Sequence, residues 1–251
     1  MPPVNPPLPD RGGARPRPLH EHVKRRISEA ILCGLWPPGT QLAGEIALAA
    51  QFGVAVGTLR RALADLTAEG LLVRRRKSGT AVTGRAPQHS LRFFFQYFRL
   101  HGADGSLLHS TPEVLSLARD SAGADAAGLG LGADEAVIRL HRLRSVGGRK
   151  VMHERLVLPA QRLPGFPTGP AAVPALLYLH LLDQYGIRVA AVRENVSAEL
   201  ATAADGRLLH LDLPDALLVI DETAYDQAGR PVILSHHRAT TRGYRYVNEI
   251  R

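Results

Sequence analysis

Three amphipathic stretches crowd into residues 19–69 with almost no chain left to connect them, and that spacing constrains the fold more than any other feature. Leu19, Val23, Ile27 and Ile31 recur every fourth residue on one helical stripe, with His22, Lys24, Arg25, Arg26 and Glu29 off it, until Trp36-Pro37-Pro38-Gly39 ends the pattern. Glu45 to Phe52 stacks Leu48, Ala49 and Phe52, then stops at Gly53, a residue suited to a left-handed helix cap. Thr58 to Glu69 puts Leu59, Ala62, Leu63 and Leu66 on one face and Thr58, Arg60 and Arg61 off it, and Gly70 closes it. Leu71 to Arg75 and Thr80 to Thr83 then read as two short strands around Arg76-Lys77-Ser78-Gly79. Helix, helix, tight turn, helix and basic hairpin together predict a winged helix-turn-helix.

Charge placement fits that reading. The chain has 251 residues and a formal net charge of +8, and residues 1–85 hold 13 Lys/Arg against 6 Asp/Glu while residues 86–251 hold 18 against 17. A polyanion partner is therefore expected for the first third alone. In such a domain the third helix enters the major groove by its first turn. Thr58 suits a phosphate or a base there, and Arg60 and Arg61 can each offer a fork to guanine, worth about 1–3 kcal/mol of discrimination when bidentate. Arg74, Arg75, Arg76 and Lys77 suit the sugar-phosphate backbone or the minor groove.

The rest divides by composition. Residues 1–18, with seven prolines, read as an arm, residues 19–84 as the winged domain, residues 85–90 as a linker, and residues 91–251 as a second domain. Strands are expected at Leu91–Leu100, Val114–Arg119, Ala136–Val146, Lys150–Leu158, Ile187–Leu200, Ala216–Tyr225 and Pro231–Thr240, and helices around Ala122–Leu129, Pro174–Tyr185 and Thr202–His210. Hairpin signals at Val146-Gly147-Gly148-Arg149 and Asp226-Gln227-Ala228-Gly229 make the sheet antiparallel, so the class is α+β. No run of about 18 apolar residues occurs, and the proline-rich start lacks a greasy segment, so a cytoplasmic protein with no membrane partner is expected. The single cysteine, Cys33, falls in a helical pattern and reads as a small buried thiol.

Several chemical signals lack their context. Gly128-Leu129-Gly130-Leu131-Gly132-Ala133 resembles a dinucleotide loop, but a helix precedes it and a strand follows, the reverse of what a phosphate site needs, so a turn is expected. His236 and His237 are adjacent on a strand and face opposite sides, so one metal ion is not expected to bind both, and His153 likewise alternates away from Glu154. No nucleophile elbow, phosphate loop or His-Glu metal signature is present, and no cofactor, metal or catalytic residue is expected.

The segment Leu19–Val82 resembles the N-terminal domain of the GntR family of bacterial transcription regulators. The frame runs through Ile31-Leu32-Cys33-Gly34-Leu35-Trp36-Pro37-Pro38-Gly39-Thr40-Gln41-Leu42, Glu45, Phe52-Gly53-Val54, Thr58-Leu59-Arg60, Ala62-Leu63, Leu66, Glu69-Gly70-Leu71 and Gly79-Thr80-Ala81-Val82. The resemblance carries over Thr58, Arg60 and the wing glycine Gly79 as DNA contacts, to which the local reading adds Arg61, Arg76 and Lys77. It implies a homodimer on a two-fold operator, acting as a repressor. The chain departs from the family pattern at Ile46, where arginine is common, and at Ala55-Val56, where Ser/Thr-Arg is common. Ala55 also removes the usual side-chain cap of the third helix, a loss of about 1 kcal/mol.

Leu91–Val247 resembles the UTRA effector-sensing domain of the HutC branch of that family, whose fold is similar to chorismate lyase. Its motifs are Val137-Ile138-Arg139-Leu140-His141-Arg142-Leu143-Arg144, Gly147 to Glu154, Leu158-Pro159, Leu177-Tyr178, Tyr185-Gly186, Glu194 and Gly229-Arg230-Pro231-Val232. The resemblance implies a small-molecule effector whose occupancy respaces the DNA-binding domains of a homodimer. Residues two apart on a strand share a face, so Arg142 and Arg144 point the same way to clamp a carboxylate or phosphate, with Glu154 opposing them on the next strand. The plain structural alternative is an Arg–Glu cross-strand pair on a wet face. Leu176 and Ile233 replace a serine and a glutamate common in sugar-phosphate-binding members, which favours a smaller or more apolar organic anion. Two rival functions follow from the same residues: an architectural DNA binder without effector response, and a lyase-like enzyme on the same fold.

Overall fold

The computed structural model describes residues 18–32, 35–75, 79–83, 100–106 and 108–247. The arm at 1–17, Cys33, Arg76, Lys77, the linker at 85–90 and the aromatic strand expected at 91–99 lie outside the described residues. Two compact units divide the chain, one reaching His109 and one spanning Ser110–Tyr246.

In the first unit α1 (Leu19–Leu32), α2 (Glu45–Phe52) and α3 (Val56–Ala68) precede an antiparallel hairpin of β1 (Leu72–Arg75) and β2 (Gly79–Val82), and β3 (Leu100–Gly102) follows. The helical stripes become one core of Val23, Ile27, Ile31, Trp36, Leu48, Leu59, Leu63, Leu66 and Leu71. Leu19, on the same stripe, is the first residue of its helix and remains 61% exposed. Gly53 takes the left-handed conformation at φ 64° and its N–H reaches back to the carbonyls of Ala49 and Ala50, ending α2 so that α3 can begin three residues later. Helix α3 starts at Val56, two residues earlier than its apolar face predicts, with Ala55 as a cap residue that makes no side-chain hydrogen bond.

The second unit is a six-stranded antiparallel sheet in the order β4-β5-β6-β9-β8-β7, formed by Thr111–Ser121, Ala136–Val146, Arg149–Pro159, Pro231–Thr240, Ala216–Asp226 and Val189–Leu200 respectively. A short strand, β10 (Tyr244–Tyr246), follows β9. The six strands and three helical stretches expected within the described part of this unit are present, with ends shifted by a few residues. Helix α4 (Ala126–Leu129) ends in Gly130 at φ 66° and a turn leads on to β5, so the glycine-rich run is a helix-to-strand turn. Among the described residues no single helix is long and apolar enough to cross a membrane.

Directly paired residues share a face of the sheet. One face carries Arg142, Glu154, His237 and Ile220 in one row and Leu156, Ser235, Glu222 and Glu194 in the next. Helix α5 (Leu177–Tyr185) lies over it, with the Tyr178 hydroxyl 2.6 Å from Glu222 Oε1. The opposite face is covered by α4, packed against Val137, Val157 and Leu234, and by α6 (Ala203–Leu209), packed against Leu143 and Leu217. The central strand β6 is consequently buried on both faces apart from Arg149 and Arg155 at its exposed positions.

Candidate functional sites

The first candidate surface is the solvent side of α3 with the wing. Burial of Leu59, Ala62, Leu63 and Leu66 against α1 and α2 turns Arg60 and Arg61 outward, and Thr58 stands half-buried in the first turn of the helix. Arg74 and Arg75 lie exposed on β1, paired with Thr80 and Gly79, and Gly79 has φ 82°, a conformation that L side chains rarely adopt. Sequence reasoning missed Glu45. This first residue of α2 sets its carboxylate between the two DNA-facing elements, with Oε2 2.5 Å from Arg60 Nε and Oε1 bonded to Arg74 Nη2. The Arg60 hydrogen bond, helped by Arg74 and opposed by slight desolvation, holds the Glu45 carboxyl below its usual range. Ile46, where the family commonly has arginine, is 79% exposed.

The second candidate site is the α5 side of the sheet. Arg142, Arg144 and Glu154, expected to oppose one another, are brought together: Arg142 Nη2 lies 2.6 Å and Arg144 Nε 2.9 Å from the same oxygen, Glu154 Oε1. The other oxygen, Oε2, is 3.1 Å from His237 Nδ1, and Arg144 Nη1 donates to Ser110 Oγ at 2.9 Å. Arg142 and Glu154 are each only 2% exposed, so the group is not a cross-strand pair on a wet face. Burial pushes the Glu154 carboxyl up, but Arg142, Arg144 and His237 outweigh it and hold the group well below the carboxylate range. Burial also lowers the basicity of Arg142.

Among the described residues, the buried polar atoms on this face that lack a hydrogen-bond partner include Arg142 Nε, Arg142 Nη1 and Ser235 Oγ. Buried polar groups in folded proteins are nearly always bonded, so the exceptions point to a site where something else supplies the acceptor. Ile233, fully buried, continues the same face opposite Ala224, and Leu176 caps α5 without a side-chain bond. Glu222 with Tyr178, and Glu194 with Tyr246 at 2.5 Å, are further polar pairs here that strand alternation could have revealed once the register was known.

The two histidines of β9 separate as expected: His237 faces Glu154 and His236 Nδ1 lies 2.7 Å from Asp221 on the other face. His153 likewise turns from Glu154 to Asp205, 2.8 Å from its Nε2.

Comparison with known proteins places the chain in a family. Residues 19–82 match the profile of the bacterial regulatory proteins of the gntR family, and residues 108–245, more than half of the chain, match the UTRA domain. The chain belongs to the GntR family, in its HutC branch. It is similar to the histidine utilization repressor of Pseudomonas aeruginosa, with 29% identity over 225 residues covering 85% of this chain and 84% of that one. It is also similar to the HTH-type transcriptional repressor NagR of Bacillus subtilis, with 25% identity across 92% and 93% of the two chains. In fold, this GntR regulator resembles PhnF from Mycobacterium smegmatis, at a TM-score of 0.54 and 22% identity over 93% of this chain and 99% of that one. YydK from Bacillus subtilis gives 0.56 and 17% over the same share of this chain and 99% of its own. The GntR regulator is therefore a DNA-binding transcription factor with a ligand-sensing domain.

Proposed function

We propose that this regulator is a cytoplasmic homodimeric repressor that binds a two-fold operator and is released by a small organic acid. On this reading the protein acts by binding and not by turnover. Thr58, Arg60, Arg61 and Gly79, with Arg76 and Lys77 at the wing tip, contact the operator, while Arg142, Arg144 and Glu154 form the effector site. The observation that carries the reading is the pair of unpartnered Arg142 nitrogens at 2% exposure, beside a second guanidinium on the same carboxylate oxygen. Glu154 takes up one equivalent of positive charge from two arginines, which leaves the pair able to accept a carboxylate or phosphate. The apolar Ile233 on the same face favours a ligand with few hydroxyls. The repressor names of the relatives in Pseudomonas aeruginosa and Bacillus subtilis support the sign of regulation.

An effector shifts operator binding only by its differential affinity for the two dimer arrangements, and a hundredfold loss requires about 2.7 kcal/mol of coupling. Fluorescence anisotropy tests this, with the purified protein, its own upstream duplex and a scrambled duplex at about 0.15 M salt, with and without organic acids and phosphates. A preference of about a thousandfold or more, abolished by one acid, is expected. Equal, salt-sensitive binding to both duplexes would overturn the reading in favour of an architectural DNA binder, which the exposed Ile46 in place of a basic residue would then explain.

A further inference from the structure

Arg60 and Arg74 come from different elements, the reading helix and the wing, and are 65% and 70% exposed at their side chains, yet both end on Glu45. A long exposed arginine ordinarily samples many rotamers, and ordering it on DNA has an entropic cost. Glu45 is the more buried partner, at 23%, and sits on the first turn of α2, a helix whose Leu48 and Ala49 are anchored in the core. The choice of nitrogen matters as much as the contact. Arg60 gives its Nε to Glu45, so the two terminal Nη groups remain to form the fork that guanine O6 and N7 accept. Arg74 gives one Nη instead, so it is held as a point of positive charge toward the backbone.

We infer that Glu45 is a specificity-determining residue: its carboxylate buttresses Arg60 so that the guanidinium reads a guanine end-on, and ties the wing to the same frame through Arg74. Glu45 is a positioning residue, acting through Arg60 and not on DNA itself. The inference rests on Arg60 reading a base in the operator, as proposed above. Its alternative is that Glu45 competes with DNA for the two arginines and merely weakens all binding.

Selection of bound duplexes from a random DNA pool by the full-length protein, its Glu45→Gln, Arg60→Ala and double variants distinguishes these. The wild type is expected to enrich a site with at least one strongly preferred guanine, and Glu45→Gln to lose about tenfold of the preference at that position. Total retention on random DNA should be kept or raised, because one negative charge has gone from the surface. Arg60→Ala should lose the same position, and Glu45→Gln should cost nothing further at it in the Arg60→Ala background. Melting of each variant within a few degrees of wild type excludes misfolding, and Glu45→Asp serves as a rescue for a carboxylate that can still reach Arg60. Equal enrichment of the same site by wild type and Glu45→Gln would overturn the inference, as would a uniform gain at all sites. Failure of the wild type to enrich any site would instead overturn the base-reading role of Arg60.

Discussion

Asp205 and Arg238 meet edge to edge, with the guanidinium Nε 3.0 Å from Oδ1 and Nη2 3.1 Å from Oδ2. Asp205 is the third residue of α6 and Arg238 lies on β9, so this bidentate pair fastens a short helix to the face of the sheet opposite the effector site. The same carboxylate accepts from the Thr202 amide and hydroxyl, both at 2.7 Å, closing a capping box. His153 Nε2, 2.8 Å from Oδ1, completes the set. Burial disfavours the imidazolium of His153, so the neutral ring gives its Nε2 proton to Asp205 and presents a bare Nδ1 to His141 Nε2 at 3.4 Å.

Replacement of Asp205 by alanine therefore removes a helix cap and leaves the buried His153 without its acceptor, while Arg238 keeps Glu199, 2.5 Å from its Nη1. A cost of about 1–3 kcal/mol is expected, the range for leaving a buried polar group unsatisfied. Urea unfolding of the full chain at neutral pH, followed by far-ultraviolet circular dichroism, measures it. A change below about 1 kcal/mol would show that solvent takes over the role of the carboxylate.

This network also marks where sequence reading stops. The stripes of α1 and α3 and the period-two strands are legible because they depend on residues three, four or two apart, and the hairpin glycines fix which strands are neighbours. Arg142 and Arg144 are legible as neighbours on one face for the same reason, but their pairing with Glu154 depends also on a bulge between Arg144 and Ser145 that shifts the β5–β6 register by one residue. Asp205 with Arg238, and Glu45 with Arg60 and Arg74, are separated by 33, 15 and 29 residues. No local period connects them, and only the packing of a helix on a sheet, or of a helix between another helix and a wing, brings them together. The burial of Glu154 is likewise a property of α5 lying over the sheet.

The two arginines of the effector site should separate stability from ligand response. Glu154→Ala leaves Arg142 without its ion-pair partner at 2% exposure and should cost about 3–5 kcal/mol. Arg144→Ala removes a side chain that is 17% exposed and leaves the Arg142–Glu154 pair in place, so its cost should stay near 1 kcal/mol while the acid response of operator binding is lost. Chemical unfolding and anisotropy on the same preparations check both halves. An Arg144→Ala protein that still releases DNA at the wild-type acid concentration would remove Arg144 from the site.

Acid should loosen the β8–β9 turn before the rest of the sheet. Asp226 Oδ1 accepts from the amides of Ala228 and Arg230, and Oδ2 from Arg162 and Arg230. Burial opposes the charge, but these bonds bring the carboxyl from 3.8 down to about 2. A folded-state value below the unfolded one stabilises at pH above about 4 and is lost as pH falls through 2, for a total of about 2 kcal/mol of which roughly half remains at pH 3. Asp226→Asn should therefore be less stable than wild type at pH 7 and approach it as pH falls toward 2. A constant difference across that range would assign the effect to packing and not to the charge.

Helix α3 offers a gain instead of a loss. Ala55 has φ −63° and ψ 146°, the extended conformation of a helix cap, and it is exposed, but its methyl group leaves the amides of the first turn without a side-chain acceptor. Serine at this position can accept from the amide of Gly57 or Thr58 with no change of backbone. Ala55→Ser is expected to stabilise the winged unit by about 0.5–2 kcal/mol. For a unit of this size that is a rise in melting midpoint of roughly 4–8 °C per kcal/mol. Ala55→Val, which adds bulk without an acceptor, should give no rise. If serine and valine behave alike, the amides are already satisfied by water, and the departure from the family pattern at Ala55 then bears on DNA contact and not on the stability of the reading helix.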